Sequence, residues 1–98
     1  MDLQVNSVHF DADTKLVHFV NDKVHKLETY FDHIISGQVF LRLDKSSDTL
    51  NKVAEIKISI PGKELFAKKQ CKSFEEATDL ACEALRKQVA KYKEKSYS

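Results

Sequence analysis

The stretch VAEIKISIPGKELFAKKQC, residues 53–71, decides the fold because it contains two strands and the turn that joins them. Apolar and polar residues alternate through its first half, as they do in a strand that is buried on one side. Pro61 has a fixed φ and Gly62 can adopt a positive φ, a combination that is typical of a type II turn. The stretch therefore predicts an antiparallel hairpin. The residues expected on the inner face of its first strand are Ala54, Ile56, Ile58 and Ile60.

Two further strands are predicted before this hairpin. Residues 2–8, DLQVNSV, and residues 37–44, GQVFLRLD, both show the alternation of a half-buried strand. Residues 44–52, DKSSDTLNK, are polar and aperiodic, so we expect a loop there. The inner face of the second strand is predicted to carry Val39, Leu41 and Leu43.

Two amphipathic helices complete the pattern. The first is predicted over residues 14–31, with Asp13 or Thr14 as its N-cap. The second follows Ser73, and Glu76 stands three positions later, which is the spacing of a capping box. The first apolar stripe is Leu16, Val20, Val24, Leu27, Phe31 and Ile34, and the second is Phe74, Ala77, Ala81, Leu85, Val89 and Tyr92.

The element order β-α-β-β-β-α predicts an α+β fold in two layers. A four-stranded sheet with one apolar face can bury the stripes of both helices on that face, while its other face stays wet. A chain of 98 residues has the size of one domain, so residues 1–98 are expected to form a single unit.

Composition excludes several classes of protein. A chain that is 42% hydrophobic and poor in Gly and Pro is expected to fold, and no apolar run is long enough to cross a bilayer, so a cytosolic location is expected. Cys71 and Cys82 lack the spacing of a metal or redox site and are expected to be free and buried. The net charge of +1 means that any binding to nucleic acid must depend on segregated charge.

The sequence indicates neither catalysis nor a bound cofactor or metal. His9, His18, His25 and His33 do not have the spacing of a zinc site. Gly37 stands alone rather than in a phosphate-binding loop, and no nucleophile motif is present. A function that makes or breaks bonds is therefore disfavoured.

Positive charge is concentrated at the end of the second helix, where residues 86–95 contain five basic residues and one acidic residue. At about 100° per residue, the basic residues lie along both sides of the apolar stripe, and we call these two sides of the helix its shoulders. One shoulder carries Lys87, Gln88, Lys91 and Lys95, and the other carries Arg86 and Lys93. Lys23 and Lys26 lie on one shoulder of the first helix. We expect Lys23, Lys26, Lys87 and Lys91 to meet in one positive trough between the two helices, which lie side by side on the sheet.

A structural explanation of the same lysines stays open. The second helix begins with Glu75 and Glu76 and ends with bases, a distribution that the helix dipole favours without any ligand. Charge runs are also commonly solvated faces.

A family resemblance favours the functional interpretation. Residues 27–34, LETYFDHI, residues 85–95, LRKQVAKYKEK, and Asp79 resemble the short ribosome hibernation promoting factors, also called ribosome-associated inhibitors or sigma-54 modulation proteins. The likeness extends from residue 1 to about residue 42 and from residue 62 to residue 95.

The resemblance implies the same fold, related to double-stranded RNA-binding domains, and a function without catalysis. Family members bind the small ribosomal subunit where mRNA and tRNA pass, and so silence and protect idle ribosomes. The implied partner is ribosomal RNA, with neither DNA nor a membrane involved. The resemblance implies these RNA-binding residues: Lys23, Lys26, Lys87, Gln88, Lys91, Lys93 and Lys95, with Tyr30 and Asp79 also at matching positions. Arg86 is added to them as a basic residue of the same helix end, and Lys68 and Lys69 are further candidates outside the family pattern.

The sequence also departs from its relatives. Ala84 stands where many relatives have Lys, and Lys68, Lys69 and Lys72 replace residues that are often acidic or neutral. The chain stops at Ser98 without the C-terminal dimerisation domain of long members, so a monomer is expected off the ribosome.

Two rival functions stay open for the same fold. A general binder of double-stranded RNA is disfavoured because residues 73–81, SFEEATDLA, begin the last helix with acids. A protein-interaction module would use the wet face of the sheet, including Phe40 and Phe66.

Overall fold

The computed structural model describes residues 1–45 and 49–97, and the side chains up to residue 94. The predicted loop at 44–52 is thus only partly described, and the side chain of Lys95 lies outside the described part. The elements are β1 (Asp2–Val8), α1 (Thr14–His25), a 3₁₀ helix (Lys26–Thr29), β2 (Ser36–Leu43), β3 (Lys52–Ile60), β4 (Lys63–Cys71) and α2 (Phe74–Tyr97).

The four strands form one mixed sheet in the order β1-β2-β3-β4. β1 is parallel to β2, which α1 makes possible by carrying the chain back across the sheet, and the other neighbours are antiparallel. Val5, Val39, Ile56 and Ala67 form a row across all four strands on the inner face. The predicted α+β fold of two layers is confirmed.

The core lies between this inner face and the two helices. Val20 and Val24 of α1 and Ala81 and Leu85 of α2 are completely buried. The rings of Phe10 and Phe74 stack with centroids 4.9 Å apart, which closes the end of the core where α2 begins. The four predicted inner-face residues of β3 are all buried, at 3% exposure or less.

The predicted division of the sheet into a buried and a wet face is wrong at two positions. Leu43 has the inner-face register but is 45% exposed, because it stands at the end of β2. Val53 has the outer-face register, between Arg42 and Gln70, yet is buried. The outer face is therefore polar, but not all of its residues are exposed to solvent.

The predicted end of the first helix also needs correction. The α-helix stops at His25 rather than near residue 31, and the chain continues as a 3₁₀ helix. The Thr29 hydroxyl donates to the Lys26 carbonyl, and the backbone N–H of Tyr30 donates to the Leu27 carbonyl, three residues back. Bonds of this kind tighten the last turn of a helix. Leu27, Phe31 and Ile34 remain buried, so the apolar spacing continues where the α-helix does not.

The local signals at the turn and the helix starts are confirmed. Gly62 has φ +79°, as the third position of a type II turn requires, and Ile60 pairs with Lys63 across it. The Asp13 carboxylate accepts a bond from the Leu16 N–H at 2.7 Å, and the Ser73 hydroxyl accepts one from the Glu76 N–H at 3.1 Å.

The two cysteines are free and buried, as predicted. Burial, and secondly the charge of the nearby Asp79 carboxylate, raise the pKa of the Cys82 thiol to about 12. Burial likewise raises the pKa of Cys71. In the part of the chain that the structure describes, we find no helix with the length and apolar character needed to cross a membrane.

Candidate nucleic-acid interface

A groove runs between α1 with its 3₁₀ extension and the first half of α2. We call it the interhelical groove. It is lined by Lys23, Lys26, Leu27, Tyr30, Asp79, Cys82, Glu83 and Arg86. Three of these side chains are cationic and two are carboxylates, so the groove combines positive charge with its own counter-charges.

Lys23 and Asp79 join the two helices across this groove. Lys23 Nζ lies 2.9 Å from Asp79 Oδ1. The hydrogen bond and the negative charge of Asp79 raise the pKa of Lys23. Both side chains are partly exposed, so water and salt screen the pair. The positive charge of Lys23 is largely neutralised before any ligand arrives.

Arg86 is paired in the same way, within α2. Its guanidinium donates two hydrogen bonds to the carboxylate of Glu83, three residues earlier. The bond to Arg86 lowers the pKa of Glu83, and the bond to Glu83 raises the pKa of Arg86. The guanidinium carbon also lies 5.8 Å from the centroid of the Tyr30 ring, which is 50% exposed. The guanidinium thus lies over one face of a ring that is otherwise half exposed.

Lys93 extends the interhelical groove towards the C-terminus of α2. Its ammonium donates to the backbone carbonyl of Tyr30 at 2.8 Å, which satisfies a carbonyl at the end of the 3₁₀ helix. Tyr30, Arg86 and Lys93 also line one shallow recess. Lys26 completes the cations on this side, and among the described residues it takes part in no ion pair.

The opposite shoulder of α2 faces β4 rather than α1. Gln88 Nε2 donates to the Phe66 carbonyl at 2.9 Å, across the free edge of the sheet. Gln88 and Lys91 line a concavity that we call the α2–β4 recess. Its lining residues are Lys63, Leu65, Gln88, Lys91 and Tyr92. Lys87, one turn before Lys91, belongs to the same shoulder and is exposed.

The prediction that Lys23, Lys26, Lys87 and Lys91 meet in one trough is therefore wrong. Helical spacing defined two shoulders of α2 but not which of them faces α1. Since α2 packs over β3 and β4, only one shoulder can turn towards α1, and it carries Asp79, Arg86 and Lys93. The basic residues of α2 are thus divided between two surfaces.

The lysines of β4 are divided by the alternation of the strand. Lys68 lies on the outer face, 3.8 Å from Glu55, which also pairs with Arg42. Lys69 has the inner-face register, opposite Ala54, and is exposed beyond the edge of the core. Lys69 can therefore join the helix-side surfaces, whereas Lys68 cannot. Lys72 is exposed after the end of β4.

Sequence reasoning missed two members of these surfaces. Glu83 was not identified as the partner of Arg86, although acid and base three residues apart on a helix are a recognised pair. Lys63 was not identified at all, because its closeness to Lys91 depends on how α2 docks over the hairpin turn. Within residues 1–45 and 49–97 there is no cluster of three or more His, Cys, Asp or Glu side chains arranged to hold a metal ion.

Comparison with known proteins gives a consistent result. The family model described as sigma 54 modulation protein / S30EA ribosomal protein matches residues 3–97. The ribosome hibernation promoting factor of Pseudomonas putida is 29% identical over 98 residues, covering 100% of this chain and 92% of that protein. The protein of the same name from Azotobacter vinelandii is 30% identical over 95 residues, covering 97% of this chain and 85% of that protein.

Structural comparison agrees on the fold. A ribosomal subunit interface protein from Coxiella burnetii superimposes with a TM-score of 0.85 at 22% identity, covering 95% of this chain and 98% of that one. The two chains share the same arrangement of one four-stranded sheet and two helices.

Proposed function

Because the chain belongs to the sigma 54 modulation protein / S30EA ribosomal protein family, we propose that it is a ribosome hibernation factor that docks on the small ribosomal subunit. Its relatives are named for ribosome hibernation, which supports a role on the ribosome. In the proposed complex the domain occupies the path of mRNA and tRNA. Inhibition is then steric, and no chemical step is needed.

The observation that supports RNA as the ligand is a difference between the two layers in how many exposed cations lack an ion pair. The helix layer carries Lys26 and Lys91, which take part in no ion pair among the described residues, and Lys87, whose charge helps to lower the pKa of Glu83 without a direct ion pair. On the outer sheet face the described cations have carboxylate neighbours. Glu55, for example, forms ion pairs with both Arg42 and Lys68. A neutral chain with cations segregated in this way can present a positive surface to phosphates.

The proposed contacts are mainly to the RNA backbone. Lys and Arg side chains that neutralise phosphates release counterions, which makes affinity depend on salt and not on base sequence. Five or six neutralised phosphates would give a slope of about −4 to −5 in a plot of log affinity against log salt. Tyr30, beside Arg86, offers an aromatic face on which an unpaired base can stack.

The experiment that tests this proposal is co-sedimentation with ribosomes at physiological salt. The double variant Lys87→Glu/Lys91→Glu is expected to stay in the supernatant, whereas the wild-type protein pellets with ribosomes. Lys57→Glu/Lys68→Glu is the matched control, because it makes the same change of charge on the outer sheet face. The proposal fails if the wild-type chain does not pellet, or if both variants pellet equally.

General binding to double-stranded RNA is the rival with the same fold. The first turn of α2 carries the exposed acids Glu75 and Glu76, which would repel a duplex backbone placed there. We therefore expect a gel shift with plain duplex RNA to show no complex at concentrations that saturate ribosomes.

We also propose that the chain acts as a monomer off the ribosome. Sedimentation equilibrium of the purified protein measures its molecular mass and so tests this proposal.

A further inference from the structure

The α2–β4 recess brings together two lysines that are 28 positions apart in the sequence, Lys63 and Lys91. Lys63 is the first residue of β4, directly after the turn at Gly62. Two contacts hold α2 against this hairpin. Gln88 bonds to the Phe66 carbonyl, and the Tyr92 hydroxyl lies 3.5 Å from the Pro61 carbonyl. The placement of the two lysines is thus fixed by the docking of a helix on a turn.

The charge of this recess differs from that of the interhelical groove. None of its five lining residues is acidic. Lys63 and Lys91 are both exposed, and neither takes part in an ion pair among the described residues. Glu64, the residue after Lys63, has the outer-face register and approaches Lys57 instead. In the interhelical groove, by contrast, Lys23 and Arg86 already form ion pairs with Asp79 and Glu83.

Two like charges carried by residues of one recess repel each other, and an anion bound between Lys63 and Lys91 would relieve that repulsion. The polar ends of Gln88 and Tyr92 already face the Phe66 and Pro61 carbonyls, so Lys63 and Lys91 supply the charge of the recess. The recess is shallow and open to solvent, so it suits a group on a larger molecule rather than an enclosed small ligand. A backbone phosphate of RNA has the matching charge.

We propose that Lys63 and Lys91 together bind a backbone phosphate of ribosomal RNA in the α2–β4 recess. This inference rests on the proposed function and adds a contact from the sheet layer to it. Lys26 and Lys93 lie on the α1 side of α2, and Lys63 and Lys91 lie on the β4 side. The domain would then contact RNA on both sides of α2. Lys63 would add a contact from β4 to those made by the helices.

The test measures the affinity of labelled protein for purified ribosomes over a series of salt concentrations. The variants are Lys63→Gln, Lys91→Gln and the double variant, with Lys57→Gln on the outer face as the control for loss of one charge. Each single variant is expected to weaken binding about three- to tenfold, and the double variant, which removes both partners of the one phosphate, is expected to reduce the salt slope by about 0.7 to 0.9. Lys57→Gln is expected to match the wild-type protein.

The double variant tests whether the two lysines share one phosphate. If they do, its loss of affinity is smaller than the product of the two single losses, because the second substitution removes a contact that the first has already weakened. Independent, fully multiplicative losses would overturn the shared site. Urea unfolding of each variant checks that the fold is unchanged.

The inference fails by itself if the wild-type protein binds ribosomes but Lys63→Gln has the affinity and slope of Lys57→Gln. It also fails if the double variant weakens binding without reducing the slope, since that would indicate a structural effect. If the wild-type protein binds no ribosomes at any salt, the proposed function and this inference fail together.

Discussion

Lys23 Nζ of α1 and Asp79 Oδ1 of α2 are 2.9 Å apart, so an ion pair spans the groove in which the first helix was expected to present free positive charge. The pair links the helices, but it also cancels one of the cations available to an RNA phosphate. The number of lysines on a helix therefore overstates the charge that the interhelical groove offers.

Replacing Asp79 by Asn should strengthen binding to ribosomes. The substitution keeps the size of the side chain and releases the charge of Lys23, which adds one cation to the interface. We expect the salt slope to become steeper by about 0.7 to 0.9 and the affinity at low salt to rise. The measurement is a salt titration of binding to purified ribosomes.

Glu64→Gln is the matched control for Asp79→Asn, because it makes the same change of charge on the outer sheet face. It should leave the slope unchanged. A weaker affinity for Asp79→Asn would show instead that Asp79 acts by holding Lys23 in a productive position.

Lys93 and Lys87 are expected to differ although both are exposed lysines of α2. The Lys93 ammonium bonds to the Tyr30 carbonyl at 2.8 Å, whereas Lys87 has no hydrogen bond or ion pair among the described residues. Lys93→Gln should therefore lower the free energy of unfolding by about 0.5 kcal/mol in addition to weakening ribosome binding. Lys87→Gln should weaken binding only. Urea unfolding of both variants separates the two cases, and equal stabilities would contradict the capping role of Lys93.

The sequence predicted those features that depend on local period and turn chemistry. The hairpin at Gly62 and the caps at Asp13 and Ser73 need only residues that are close in the chain, and all three are present. The end of α1 was missed because the buried Phe31 continues the helical spacing after the backbone has tightened into a 3₁₀ turn. Spacing reports which side chains are buried, not which hydrogen bonds the backbone makes.

The candidate site was predicted less well, since it depends on how the elements dock. Arg86 and Lys91 were both recognised as basic residues beside the core. Which of them faces α1 depends on the position of α2 over β3 and β4, and no local pattern contains that information. The role of Lys63 depends on the same docking.

Cys82 should make the stability of the protein depend on alkaline pH. Burial raises the pKa of its thiol from an ordinary value near 9 to about 12, so the folded state favours the neutral thiol. Its contribution to stability is complete below the unfolded pKa and is lost as the pH rises from about 9 towards about 12. Urea midpoints of the wild-type protein should fall more steeply over this range than those of Cys82→Ala. Parallel profiles would show that the thiol does not contribute.

Thr78 offers a site for stabilising the fold. The residue is completely buried on α2, and its hydroxyl oxygen has no hydrogen-bond partner among the described residues. An unsatisfied buried hydroxyl is costly, and valine has nearly the same shape without it. Thr78→Val should raise the free energy of unfolding by about 1 kcal/mol, as measured by urea denaturation. Thr78→Ala, which leaves a cavity instead, should not, and a loss of stability in Thr78→Val would imply that the hydroxyl has a partner.

Phe66 distinguishes the proposed RNA-binding surface from a protein-interaction surface on the sheet. Its ring is 50% exposed on the outer face, opposite Lys57 in the neighbouring strand, and the helices cover the other face. Phe66→Ser should therefore leave both the affinity for ribosomes and its salt slope unchanged. The same variant should remain folded, since the ring lies outside the core and only the backbone carbonyl of Phe66 bonds to Gln88. Loss of ribosome binding in Phe66→Ser, with urea midpoints unchanged, would indicate that the docking surface is the outer face of the sheet and not the helices.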